Sequence, residues 1–246
     1  MIPRLSQVEP AQGRYLAFLE TLGQQGFQGE IRSDYGTRLV QSTDNSIYQI
    51  LPQAAVFPID KSDLKILLKL AAHEKFWDIS FAPRGGGTGT NGQSLTDGIM
   101  IDCSRHMNDI RELNLEQGWV KVGPGVVLDQ LNDFLRPHGV FFAPNLSPSS
   151  RATLGGMINT DACGKGSRVY GRTSDHILGL SCLLSNGEEL HSVPLNPKEL
   201  ADWKAASGRT GEVHRVVDEI VCRQAELIKE IFPKMSRFMT GYNLAK

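Results

Sequence analysis

Residues 83–92 read PRGGGTGTNG, with three consecutive glycines in the middle. Each glycine gives up more backbone freedom on folding than any other residue, so the run costs roughly 2 to 3 kcal/mol relative to alanines. A compensating role is required. Two fit: a tight connection that only has to turn, or a nest of backbone N–H groups that closes on an anion. This stretch alone leaves both open. A second run of small residues, 155–171, carries Gly155, Gly156, Gly164, Gly166 and Gly171 among hydroxyls.

The familiar glycine-rich sites do not match. A dinucleotide-binding βαβ unit needs G-x-G-x-x-G opening a helix, and Gly85–Gly89 lead into strand-like sequence instead. A phosphate loop of the Walker type needs G-x-x-x-x-G-K-[ST]; Gly164-Lys165-Gly166-Ser167 echoes it without the upstream spacing. Cys103, Cys163, Cys182 and Cys222 share no C-x-x-C pair, so they form no zinc or iron–sulfur motif and read as buried thiols. No metal ligands are assigned. His106, His138, His176 and His191 stand singly, the pattern of capping or core residues rather than of a base. Catalytic residues are therefore left unassigned.

Composition narrows the partners. The 246 residues are 40% hydrophobic and 22% charged, usage that supports one large or two small packed domains. Lys and Arg total 26 against 27 Asp and Glu, which lacks the basic excess that nucleic acid demands. No run of about 20 apolar residues suggests a transmembrane segment, and the start, MIPRLSQVEPAQGRY, lacks the apolar centre of a signal peptide. A cytoplasmic location is the expectation.

The elements around the first glycine run follow from periodicity. GRYLAFLETLGQ places Tyr15, Leu16, Phe18, Leu19 and Leu22 on a helical stripe, and QSTDNSIYQI after it reads as irregular. AAVFPI is a short strand, DKSDLKILLKLAAHEK a capped helix, and WDISFAP a second strand, so the glycine loop leaves a strand end. GIMIDCS, DIRELNL and GWVKVGPG suggest antiparallel strands. VVLDQLNDFLRPHG is a helix that stops at Gly139, and about 30 irregular residues then precede the strand ILGLSCLL and the turn SNGEE. Residues 197–232 are helical, with a break at Ser207-Gly208.

PRGGGTGTNG, GIMIDCSRHMNDI and VKVGPGVVLDQLNDFLRPHGVFFAPNLSPSSRATLGGMINTDACGKGSRVYGRTSDHILGL resemble, in order and spacing, the flavin domain of FAD-linked oxidases of the vanillyl-alcohol oxidase type. The branch they most resemble holds the D-lactate, glycolate and D-2-hydroxyglutarate dehydrogenases. The resemblance implies an α+β fold, a PCMH-type FAD-binding domain whose small α/β subdomain packs on a larger mixed sheet flanked by helices. It divides the chain into a helical lead-in at 1–50, the FAD-binding domain at 51–192, and a helical extension at 193–246.

The resemblance also assigns the glycines. Arg84, Gly85, Gly86, Gly87, Thr88 and Gly89 would hold the FAD diphosphate on backbone amides, with no Cβ atoms in the way. Pro144, Ser149, Ser150, Thr153, Gly155, Gly156, Ala162, Gly164 and Gly171 would wall the flavin and adenosine, and Ile177, beside Asp175, would pass the adenine end. Gly86-Gly87-Thr88 carries no His or Cys where covalent members attach flavin, which implies noncovalent FAD. Asp161 stands where the family often has Asn, and an acid there must point away or pair with Arg151, Arg168 or Arg172.

The implied reaction is oxidation of a small-molecule D-2-hydroxy acid to the 2-oxo acid, with electrons passed to a quinone or an iron–sulfur relay. Arg237–Leu244, RFMTGYNL, matches a family stretch that elsewhere leads into a substrate domain, so the chain reads as the N-terminal piece of a longer oxidoreductase, inactive by itself. Any iron–sulfur cluster would belong to a C-terminal part, and any membrane association would be peripheral, at the inner membrane. Two other readings stay open: a noncatalytic flavin-binding module, and a flavin-dependent sugar-nucleotide reductase of the same fold, whose motifs match less well.

Overall fold

The computed structural model describes residues 9–235 and 243–244; most of RFMTGYNL lies outside them. Helix α1 (Gly13–Gln24) buries Tyr15, Phe18, Leu19 and Leu22 of the stripe that periodicity marks against strands and α3 (Lys61–Ala71), and leaves Leu16 exposed. Phe18 meets Phe76 edge-on with centroids 5.2 Å apart. Asp60 caps α3 by accepting from the backbone N–H groups of Ser62 and Asp63, which satisfies two donors that the first turn leaves free. The lead-in is not purely helical: besides α2 (Tyr35–Val40) it contributes β1 (Glu30–Arg32).

Four strands form one mixed sheet in the order β1, β2 (Ala54–Phe57), β4 (Ile99–Asp102), β3 (Phe81–Arg84). β1 runs antiparallel to β2, while β2, β4 and β3 are mutually parallel. β2 and β4 are buried along their whole length, which is why AAVF and IMI read as continuous apolar runs. GIMIDCS therefore departs from the antiparallel expectation: its strand inserts between β2 and β3 and takes their direction. The strand expected from Trp77 begins only at Phe81, because Glu74–Phe76 form a 3₁₀ turn that leaves Trp77 in solvent.

The second half has its own core of Val126, Leu128, Leu131, Leu135, Ala152, Leu154 and Met157. It is built by β5 (Ile110–Asn114), β6 (Trp119–Val122), α4 (Leu128–Leu135) and α5 (Leu154–Asn159), and α6 (Ser167–Tyr170), β7 (Leu180–Leu183) and β8 (Glu189–Ser192) follow in the chain. The α+β class is as expected. The larger mixed sheet is not continuous among the described residues: β5–β6 and β7–β8 are separate antiparallel pairs. Each is a local hairpin, turning at Gly118 and Gly187 in the left-handed region, and the stretch 140–166, irregular apart from α5, lies between them in the chain.

Helices α7 (Pro197–Ala205), α8 (Gly208–Arg223) and α9 (Ala225–Ile231) follow, with the break at Ser207-Gly208 where expected. α8 is tied to the β7–β8 hairpin by Thr210, whose N–H donates to the Glu188 carboxylate at 3.2 Å and whose hydroxyl donates to Glu189 O at 3.3 Å. The hairpin is tied in turn to α3, where Glu189 accepts from Lys61 at 2.8 Å and Lys65 at 2.5 Å, with His191 3.7 Å away. Hydrogen bonds from Lys61 and Lys65 pull the Glu189 carboxyl from 4.5 to about 2. A depressed carboxyl contributes stability that is present above its unfolded value and lost as pH falls through its folded one. Glu189→Gln should accordingly melt below the native protein near neutral pH, with the gap closing between pH 4.5 and about 2. A gap that stays constant on acidification would show that the pairs contribute nothing.

Candidate cofactor site

β3 and β4 run in register, Arg84 beside Asp102, and both release the chain at the same sheet edge. The carboxyl ends of parallel strands are where open α/β sheets place ligands. Here they open on a cavity of about 550 Å³, lined by the loop Arg84–Thr88, by Ser150, Arg151 and Thr153, and by Gln41, Thr43, Asp44 and Asn45.

The glycines of the loop meet protein as well as open space. A Cβ at Gly85 would stand 2.0 Å from Thr153 Oγ1, and one at Gly86 1.9 Å from the Arg151 carbonyl oxygen. Gly87 has φ +62°, where side chains are strained. The bare backbone thus lies against residues 151–153. That segment is itself fixed to the second core, since Leu128 N–H donates to Ala152 O at 2.9 Å and Leu154 N–H donates to Val126 O at 2.9 Å.

Arg84 is buried, 9% exposed, and its Nη2 donates to Thr43 O at 2.7 Å. Burial pulls its pKa down, while the charges of Asp102 and Asp44 pull it back up. Asp102 accepts from Gln41 at 2.9 Å and from the Ser104 hydroxyl at 2.6 Å. Two buried donors of cavity-lining residues have no hydrogen-bond partner among the described residues: Arg84 Nη1 and Thr153 Oγ1. Buried donors are nearly always paired, so these two point to an acceptor that the protein itself does not supply. An oxyanion seated on the glycine loop is such an acceptor. The residues present therefore fit a diphosphate.

Of the residues assigned from sequence, the cavity gathers Arg84, Gly85, Gly86, Gly87, Thr88, Ser150 and Thr153. The others stand elsewhere. Gly89 faces the Gln93 side chain, and Gly155 packs on Pro124 while its N–H donates to Pro124 O at 2.8 Å. Pro144 is buried, Ser149 N–H donates to Leu146 O, and Ala162 accepts from Thr173. Gly164 crosses over Asn145, Gly171 turns at φ +75° beside Asp175, and Ile177 N–H closes the 3₁₀ turn Thr173–His176. Gly156 is exposed, with only Thr153 Oγ1 near, at 3.4 Å.

Asp161 resolves as one of its alternatives: it pairs with Arg172 at 3.1 Å and accepts from Ser174 N–H at 2.9 Å. Its φ of +44° explains why Asp or Asn suits the position, since both tolerate left-handed backbone. Arg151 instead lines the cavity, where sequence alone offered it only as a partner for Asp161. Gln41, Thr43, Asp44, Asn45, Asp102, Asn108 and Gln130 were missed. The signal available for 41–45 was an irregular polar stretch inside a packed domain, the kind that tends to be functional. His106, His138, His176 and His191 do not line the cavity; His106 binds Glu30 and His176 binds Tyr170 O.

The chain is 57% identical to D-2-hydroxyglutarate dehydrogenase of Pseudomonas putida and 53% identical to that of Escherichia coli, over 100% and 99% of its length. It spans 24% of each of those relatives. A glycolate oxidase subunit of Bacillus subtilis is 29% identical over 75% of this chain and 40% of its own. Among solved structures, an alkyldihydroxyacetonephosphate synthase superposes with a TM-score of 0.66 at 20% identity, over 76% of this chain and 40% of its own. No helix among the described residues is long and apolar enough to cross a membrane. The FAD binding domain family matches residues 52–192, more than half of the sequence and all of the segments that build the cavity except 40–45, and the chain belongs to that family.

Proposed function

We propose that this chain is the FAD-carrying part of a dehydrogenase that oxidises a D-2-hydroxy acid to the 2-oxo acid, 2-hydroxyglutarate being the first candidate. The observation that supports it best is the pair of unpartnered buried donors, Arg84 Nη1 and Thr153 Oγ1, beside a glycine loop at the ends of parallel strands. Flavin, when bound, supplies the hydride acceptor, its N5. The backbone N–H groups of Gly85–Thr88 and the Thr88 hydroxyl hold the diphosphate, and Arg84 gives it a fixed positive partner. Arg151 adds a second cation at the rim. Gly156, exposed at the start of α5, faces the cofactor. The loop has no nucleophile, so FAD is held without a covalent bond.

Residues 51–192 act as the FAD-binding domain on this reading, with 1–50 as lead-in and 193–246 as extension. The cation for the substrate carboxylate and the base for its hydroxyl lie in the part of the relatives that this chain does not span. A quinone or an iron–sulfur relay takes the electrons there, at most peripherally to the inner membrane.

Purified protein should carry flavin, or take it up, and acid precipitation should release it intact into the supernatant. D-2-hydroxyglutarate added anaerobically to residues 1–246 should leave the flavin absorbance unchanged and should bleach that of a full-length relative. A chain that takes up no flavin would sink the proposal; flavin pelleting with the protein would sink its noncovalent part. Gly156 offers a second test, because a side chain there meets little protein. Gly156→Leu should lower FAD affinity about tenfold or more, while apoprotein stability changes by no more than about 0.5 kcal/mol. Equal stability losses with and without FAD would make the glycine merely structural.

A further inference from the structure

The segment Gln41–Ile50 lies outside the matched family residues, yet its Gln41, Thr43, Asp44 and Asn45 form one wall of the cavity. It is closed on itself: Ile50 N–H donates to Ser42 O at 2.9 Å, Gln49 Nε2 donates to Ser42 Oγ at 3.1 Å, and Ser46 N–H donates to Asp44 Oδ1 at 2.8 Å. It is also tied to the glycine loop on several sides. Asn45 N–H donates to Gly87 O at 3.1 Å, Thr43 O accepts from Arg84 Nη2 at 2.7 Å, and Asp44 Oδ2 accepts from Ser94 Oγ at 3.2 Å. Below the same guanidinium, Gln41 holds Asp102.

These ties settle where Arg84 sits. Its Nη2 lies 2.5 Å from the place a Cβ would occupy at Gly87, so the guanidinium rests on the bare α-carbon of the loop. A free arginine has rotamer entropy to lose on binding a ligand, and here that freedom is removed before any ligand arrives. Net charge tells the same story. Arg84 and Arg151 face Asp44 and Asp102, so the cavity lining has no cationic excess to attract an anion. Its grip depends on orientation.

We propose that the loop Gln41–Ile50 is a working part of the dinucleotide site, with Asp44 as a positioning residue that holds the loop over Arg84 so that the guanidinium is presented to the diphosphate. This rests on the FAD reading above. Orientation and charge predict opposite signs for one substitution. Asp44→Ala removes a negative charge, which by electrostatics alone would tighten an anion, but it also frees the loop.

The experiment measures FAD dissociation constants by flavin fluorescence for the native chain, Asp44→Ala, Asp44→Asn, Arg84→Met and the double variant Asp44→Ala with Arg84→Met. The expected result is about tenfold weaker binding for Asp44→Ala, near-native binding for Asp44→Asn, which keeps acceptor and donor atoms in place, and no further loss on adding Asp44→Ala to Arg84→Met. Unchanged or tighter binding in Asp44→Ala overturns the proposal. So does an equal loss in both arginine backgrounds, which would mean that the loop acts independently of Arg84. If Asp44→Ala does not fold, Ser94→Ala removes the anchoring hydroxyl alone and should weaken FAD about threefold, again only with Arg84 present; no loss there overturns the proposal. A native chain without FAD affinity overturns the cofactor reading and this one together, whereas native affinity with unaffected variants overturns only this one.

Discussion

Gly86→Ala should abolish FAD binding and lower the stability of the cofactor-free protein in the same step. An alanine Cβ would stand 1.9 Å from the carbonyl oxygen of Arg151 and 2.8 Å from its carbonyl carbon. These are backbone atoms, so no rotamer change relieves the contact. Nor can the segment retreat easily, because Ala152 and Leu154 are hydrogen-bonded to Leu128 and Val126 of the buried second core. The glycine loop must move instead, and that opens the cavity at the diphosphate. Overpacking against fixed backbone costs about 2 to 4 kcal/mol, which for a chain of this size is roughly 5 to 15 °C in melting temperature. Two measurements on the purified variant check it, flavin content and the melting temperature of the apoprotein. The resemblance attributes this glycine to cofactor approach, from which a valine at position 86 would be expected to lose flavin and leave the fold largely intact. The structure adds the Arg151 contact, so a Gly86→Ala protein with a native apoprotein melting temperature would disprove that addition, and one with native flavin content would disprove the site.

Periodicity carried the first half of the fold because its elements are amphipathic or fully buried. Phe18 and Leu22 mark α1, Asp60 caps α3, and AAVF stands out as a central strand. Strand direction was not legible, since Ile99–Asp102 pairs with residues far away in sequence and nothing in IMID records whether they run parallel. The short elements were also silent: β1 has three residues and α2 six, too few for a period to show.

In the site, the glycine loop was legible because consecutive glycines are conformationally costly and therefore conspicuous. The loop Gln41–Ile50 was not. Thr43 and Asn45 act through backbone carbonyl and amide, groups every residue owns, so their side-chain types gave no hint. Arg151 illustrates the reverse difficulty. Its charge was visible, but three arginines were offered to Asp161, and only geometry separates Arg172, which pairs with it, from Arg151, which turns to the cavity.

Gly164→Ala should disrupt the wall of the site from a distance. The resemblance assigns Gly164 to the flavin, yet it does not line the cavity; its missing Cβ lets the chain cross residues 145–146. A Cβ would come within 1.6 Å of the Asn145 carbonyl oxygen and 2.8 Å of the carbonyl carbon, again backbone that cannot rotate aside. The displaced segment leads directly into the site: Ser149 N–H donates to Leu146 O, Ala152 N–H donates to Pro148 O, and Ser150 and Arg151 line the cavity. Pushing Asn145 outward therefore moves the anchor of the Gly86 contact, and a loss of about 2 to 4 kcal/mol in apoprotein stability should accompany weaker FAD binding. Gly166→Ala is the matched control, because its nearest neighbour is the Tyr170 ring at 3.0 Å, a side chain that can give way. Thermal melts of the two apoproteins separate the possibilities. A stable Gly164→Ala protein that has lost FAD would place this residue against the cofactor after all, whereas a destabilised one beside a near-native Gly166→Ala would show that Gly164 is required by the chain crossing rather than by a ligand it faces.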